Sequence, residues 1–198
     1  PELRTVALHA MIAAGGPVSL ASVKAAINDS DEAVADEAVR TLSTWPNKWP
    51  EDAAAGEALK DLAASAKKPA HQVLAMRGYL QYLQSTKNLK DDARLAKAVE
   101  ALGMASRPEE KRLVVAVISS IPTNGSMAKL TDLTGDPGVA QEACVAIVNL
   151  TTAKQGPRAK GPKYKFDKAV LKKALEAVVA NTKSDGVKKQ ANEALKGL

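Results

Sequence analysis

The chain has 198 residues, 45% of them hydrophobic and only 3% aromatic, with 28 Lys and Arg against 22 Asp and Glu for a net charge of +6. That is enough apolar material for a core filled by alanine, leucine and valine, and it argues against a β-sandwich or barrel, which draws on more β-branched and aromatic residues. No apolar run approaches the ~18 residues of a membrane span, and the single cysteine, Cys144, rules out an internal disulfide or a cysteine-cluster metal site.

In chain order the helical pattern begins at residues 2–14 and stops at Gly15-Gly16-Pro17. A second helix is predicted from Ser19 or Leu20 to Asn28, and a third from Asp31 to Trp45, after which the two prolines of TWPNKWPED break the pattern. Residues 51–66 resume it with Leu59 and Leu62 inward, and Pro69 opens a helix through Leu83. Asp91 to Met104 follows, and Pro108 opens a helix ending at Pro122. TNGS turns the chain into 126–134, and Asp136-Pro137 is expected to cap and start a helix to about Thr152. A basic linker, residues 153–166 (AKQGPRAKGPKYKF), precedes a helix over 167–181, and the last helix runs from Ser184 to the end.

Three of these helices carry one phrase: Asp31, Val34, Ala38, Leu42, Trp45; Asp136, Val139, Ala143, Ile147, Leu150; Ser184, Val187, Ala191, Leu195, Leu198. A capping residue is followed by apolar or small residues at +3, +7, +11 and +14, which is one stripe of an α-helix. Paired helices that share such a stripe bury it by stacking, and the second helices start near Asp31, Pro69, Pro108, Asp136 and Ser184, at spacings of 38, 39, 28 and 48 residues. The expected fold is therefore all-α, about five helical pairs stacked as one repeat domain over residues 1–198. Because Pro1 comes first and the pattern begins almost at once, that domain is expected to be a segment of a longer protein. Gly78, inside a predicted helix, reads as a contact point where a side chain would not fit, at an intrinsic cost of about 0.5–1 kcal/mol.

The phrase AINDSDEAVADEAVRTL resembles the HEAT repeat, LTDLTGDPGVAQEACVAIVNL repeats it, and SDGVKKQANEALKGL repeats its second helix. The resemblance covers nearly the whole chain and implies an armadillo-type right-handed α-α superhelix that binds rather than catalyses. HEAT repeats often place an arginine after the valine, where this chain has Ala35, Ala140 and Lys188. TLSTWPN, VLAMRGYLQYL and RPEEKRLVVAVISSIP further look like the HEAT-type segments of large exported multidomain bacterial proteins, which implies a scaffolding role and an exported or periplasmic context.

Catalytic signatures are missing. His9 and His71 are the only histidines, neither has a metal-ligand neighbour at i+3 or i+4, and no phosphate loop, dinucleotide fingerprint or nucleophile elbow occurs. AAGGPVS lacks the lysine of a phosphate loop and reads as a helix break. The carboxylate pairs Glu51-Asp52, Asp91-Asp92 and Glu109-Glu110 sit in first helical turns, where they complement the helix dipole. HEAT-like stacks also occur in alkyl-base DNA glycosylases and bilin lyases, but the six aromatics here are too scattered to line a base-binding cleft. No enzyme activity, metal or cofactor is expected.

Two binding readings remain. One is an interaction scaffold for a protein partner or an adjacent domain of the same polypeptide, with Trp49, Arg77 and Tyr79 as candidate surface residues. The other is anion binding, to nucleic acid or an acidic polysaccharide, through the last quarter of the chain. Residues 152–198 hold 12 Lys and Arg against 4 Asp and Glu, whereas the rest holds 16 against 18. The candidate residues are Lys154, Arg158, Lys160, Lys163, Tyr164 and Lys165, with Phe166 beside them, because lysines neutralise phosphates and aromatics stack on bases. The same glycine- and proline-rich stretch also fits a solvated inter-repeat linker.

Overall fold

A computed structural model describes residues 2–153 and 163–198. Among them it shows the helices α1 (Glu2–Ala14), α2 (Gly16–Ala26), α3 (Glu32–Lys48), α4 (Ala53–Ser65), α5 (Pro69–Ser85), α6 (Asp91–Met104), α7 (Pro108–Ser119), α8 (Asn124–Leu133), α9 (Ala140–Thr152), α10 (Lys168–Asn181) and α11 (Asp185–Lys196), and no strand. They fall into two compact units: α1–α5 with Gly103–Ala105, and Asp91–Leu102 with α7–α11.

In the first unit α3 is the hub, packed against α1, α2, α4 and α5. Asp31 starts it by accepting the backbone N–H groups of Ala33 and Val34, which would otherwise be orphaned at the helix end. The helix does not break at Pro46, as the sequence suggested, but runs to Lys48. Pro46 removes one backbone donor near the C-terminus. The turn is held instead by Trp45, which is fully buried and donates its indole N–H to Asp52 at 3.0 Å. Asp52 in turn caps α4 through the N–H groups of Ala54 and Ala55.

Glycines in this unit stand where a side chain would not fit. A Cβ on Gly78 of α5 would lie 2.6 Å from the Ser43 carbonyl oxygen of α3, and one on Gly56 of α4 would lie 2.5 Å from the Tyr82 ring of α5. Gly15 has φ +68° and faces the Trp49 indole, so it ends α1 both by its left-handed backbone and by leaving room for that ring.

In the second unit α9 is the hub, packed against α7, α8, α10 and α11. The helix starts at Ala140, and Asp136 does not cap it; its carboxylate accepts the Gly138 N–H at 2.9 Å and the Lys111 ammonium at 2.8 Å, in a turn ahead of the helix. Pro137 and Gly138 favour that turn over a first helical turn. The stripe is unaffected: Val139, Ala143 and Ile147 are fully buried. Cys144 is buried as well, and burial pushes its thiol pKa up, so it is a core residue with little thiolate character.

Counted from the first residue of the phrase, which is the N-cap in α3 and α11 and is Asp136, three residues ahead of the Val139 cap, in α9, the same burial recurs in α5 (from Lys68) and α7 (from Arg107). Position +7 is Ala38, Ala75, Val114, Ala143 and Ala191, each 0% exposed. Position +11 is Leu42, Tyr79, Ile118 and Ile147, also 0% exposed, with Leu195 half-buried in α11. At +3, α7 carries Glu110 in place of an apolar residue; its carboxylate turns back to accept the N–H groups of Ser106 and Arg107 and to meet the Arg107 guanidinium.

The two kinds of glycine predict opposite signs. Gly78→Ala will lower stability by about 1–3 kcal/mol, because the new methyl meets backbone that cannot yield. Gly103→Ala in α6, where a Cβ meets nothing within 4 Å, will raise it by about 0.4–1 kcal/mol. Urea unfolding followed by circular dichroism measures both.

Candidate interaction surfaces

The residues singled out from sequence do not form one site. Tyr79 is fully buried and stacks on Tyr82 with 6.5 Å between ring centroids, so it is a core residue and offers no surface. Trp49 is half-buried: its indole N–H donates to the Ile12 carbonyl at 2.9 Å, satisfying an end carbonyl of α1, and its ring lies on Gly15. It is thereby committed within the chain rather than presented outward. Arg77 is exposed on α5. Lys154, Arg158 and Lys160 lie outside the described residues, whereas Lys163, Tyr164 and Lys165 are described.

Arg77 belongs to a row at one position of the phrase. Position +9 is Arg40 on α3, Arg77 on α5, Ala116 on α7, Val145 on α9 and Glu193 on α11, all exposed. In the first unit the row is cationic. In the second, α7 and α9 replace the charge with apolar side chains, and a groove of about 420 Å³ opens there, lined by Arg112, Val115, Ala116, Ser119, Gln141, Glu142, Val145, Ala146 and Asn149. Small residues keep its walls low, and Val145 stands 42% exposed.

Ion pairs mark the same place in both units. Glu37, at +6 of α3, meets His9 of α1 at 2.7 Å and Arg40 at 3.0 Å. Glu142, at +6 of α9, meets Arg112 of α7 at 2.8 Å. With Val145 where α3 has Arg40, the carboxylate in the second unit has no same-helix arginine at that step. The surface beside it is left apolar.

A second depression, about 600 Å³, lies elsewhere in the same unit, among the end of α9, residues 164–166, the first turn of α10 and the end of α11. Tyr164 and Phe166 stand edge to face with centroids 6.4 Å apart, and the Lys163 ammonium lies 5.1 Å from the Tyr164 ring centre. Asp167, just beyond, exchanges hydrogen bonds with Asn124 of α8, which fixes the approach of this segment to the unit.

The remaining polar clusters join helices. Asp36 of α3 accepts from Lys68 and His71 at the start of α5, both at 2.8 Å. The Lys68 ammonium, then the His71 ring, hold the Asp36 carboxyl below the usual aspartate range. Lys111 and the Gly138 N–H do the same for Asp136, and the Asp31 N–H and Arg4 for Asp29. Glu51 accepts from the Thr86 hydroxyl and the Lys87 and Asn88 backbones, pinning the α5–α6 turn to the start of α4. Among the described residues no group of three His, Cys, Asp or Glu could hold a metal ion, and no helix is long and apolar enough to cross a membrane.

No protein-family model, curated protein or solved structure matches the chain.

The acid limb of stability follows from these carboxylates. Because Asp29, Asp36 and Asp136 have folded pKa values below the ordinary 3.8, their contribution is fully present above that value and is lost as the pH falls through it. Urea midpoints will drop between pH 5 and pH 3. Asp36→Asn, which keeps the shape and loses the charge, will start lower and fall less steeply over the same range.

Proposed function

We propose that this chain is a non-catalytic interaction scaffold. In this reading its helical pairs are HEAT-like repeats stacked as a right-handed α-α superhelix, and the second helices present the surface on which a helical segment of a protein partner, or of an adjacent domain of the same polypeptide, is held. Two features support the repeat reading. Pairs α2–α3, α4–α5, α8–α9 and α10–α11 each pack together, and second helices pack on one another as α3 on α5, α7 on α9 and α9 on α11. The burial pattern shared along the phrase supports it independently.

The binding role is carried by one observation: the apolar substitution of the outward +9 row at Ala116 and Val145. A soluble surface pays nothing to keep a charge there, as α3, α5 and α11 show, so an exposed valine over a low-walled groove is a surface suited to being covered. An amphipathic helix laid along the α7–α9 groove would place apolar anchors on Val145 and Ala116, at about 0.8 kcal/mol per methylene buried. The exposed ion pair Arg112–Glu142 adds little affinity and serves orientation.

The test is a selection from a displayed library of amphipathic helical peptides. Enriched peptides will carry apolar residues at i, i+3 or i+4, and i+7. They will bind Val145→Glu and Ala116→Glu variants about tenfold or more weakly, while circular dichroism shows both variants folded. Failure to enrich, or binding indifferent to both substitutions, would remove the groove from the function.

A further inference from the structure

The 600 Å³ depression in the second unit has a chemistry of its own, independent of the α7–α9 groove. Its walls are apolar: Phe166 and Leu171 are half-buried, Ala194 and Leu198 close the far side, and Tyr164 stands edge to face with Phe166. The hydroxyls lining it, Thr151 and Thr152, donate inward to the Ile147 and Val148 carbonyls, both at 2.8 Å. Its rim is cationic. Lys165 and Lys168 line it and are exposed, and Lys168 gives one of its three donors to a main-chain oxygen of Leu198, the last residue of the chain, at 2.7 Å. None of the lining residues is acidic, and the sequence has no acid between Glu142 and Asp167.

An apolar cleft under a lysine rim selects by both properties at once. A polysaccharide brings hydroxyls that need partners, and the threonine donors here are already committed, so a buried sugar face would be left unsatisfied. A nucleic acid needs an open ring face for each stacked base. The Tyr164 ring has the Lys163 ammonium 5.1 Å from its centre, and Phe166 meets it at 62° rather than beside it as a platform. A polypeptide with carboxylates flanking a leucine or phenylalanine suits both parts: the carboxylates meet Lys165 and Lys168, and the apolar side chain enters between Phe166 and Leu171.

We propose that this cleft is a docking site for an acidic peptide segment with an apolar anchor residue. Opposite charge speeds the encounter and sets the salt dependence, while the anchor gives the selectivity.

The experiment uses fluorescence anisotropy with the full chain and four labelled probes: a ten-residue Asp/Glu-rich peptide carrying two leucines, the same peptide with serine for leucine, an oligo-dT strand, and alginate. The leucine peptide is expected to bind. It should weaken about tenfold in Lys165→Glu/Lys168→Glu and in Phe166→Ala, and several-fold between 50 and 300 mM salt. Circular dichroism and a cooperative unfolding transition would show both variants folded; Phe166 lies outside the helices, ahead of α10. The serine peptide is expected to bind at least tenfold more weakly than the leucine peptide. Equal binding of the two peptides would reduce the cleft to a lysine cloud and overturn the proposal. So would tighter binding of oligo-dT or alginate, indifference to Phe166→Ala, or no binding. Since Val145→Glu should leave this binding intact, failure here and failure of the α7–α9 groove are read separately.

Discussion

The core rests on one position of the second helices, seven residues after Asp31, Lys68, Arg107, Asp136 and Ser184. Ala38, Ala75, Val114, Ala143 and Ala191 are all without exposed surface, and four of the five are alanine. A small side chain there suits close helix packing, and the larger buried residues at +11 fill the core beside it. Where α3 meets α5, the residue three places on from Ala75 is Gly78, because a Cβ there would lie 2.6 Å from the Ser43 carbonyl oxygen. The composition follows from the same constraint: a core of closely set helices has room for leucine, isoleucine and valine and little room for aromatic rings, which suits a chain with 3% aromatics.

Around that core, the polar residues act mainly at helix ends and turns. Asp31, Asp52 and Ser184 cap the helices that follow them, Glu110 turns back onto its own N-terminus, and Glu51 holds the turn after α5. Of the carboxylates that could be mistaken for paired catalytic groups, Glu51, Asp52 and Glu110 are engaged by backbone N–H groups, and Asp91 by Arg94 of its own helix. The same economy leaves the outward positions free to vary, and there the two units differ: arginines on α3 and α5, alanine and valine on α7 and α9.

Much of the fold was legible because burial at a helical period is a local signal. The stripe from Asp31 to Trp45 could be read directly, and α6 begins and ends where its sequence indicated. Helices α5 and α7 were harder to recognise as copies, since their caps are Lys68 and Arg107 and their +3 residues are His71 and Glu110, polar side chains where the phrase has valine. Pro46 misled because a buried tryptophan beside it outweighs one lost backbone bond. The binding surface was less legible. Val145 sits within the apolar run ACVAIV and contrasts with nothing near it; only counting from Asp136 separates it from its buried neighbours. Trp49 finds its partner 37 residues away, at Ile12, and no local pattern contains that distance.

The placement of two rare side chains makes each unit separately observable. Both tryptophans, Trp45 and Trp49, lie in the first unit, one sealed in the core and one hydrogen-bonded across it, so intrinsic tryptophan emission reports the first unit alone. The only thiol, Cys144, is enclosed in the hub helix of the second, so its rate of reaction with a disulfide reagent reports the opening of the second unit alone. Without any added label, the chain carries an optical clock for one half and a chemical clock for the other.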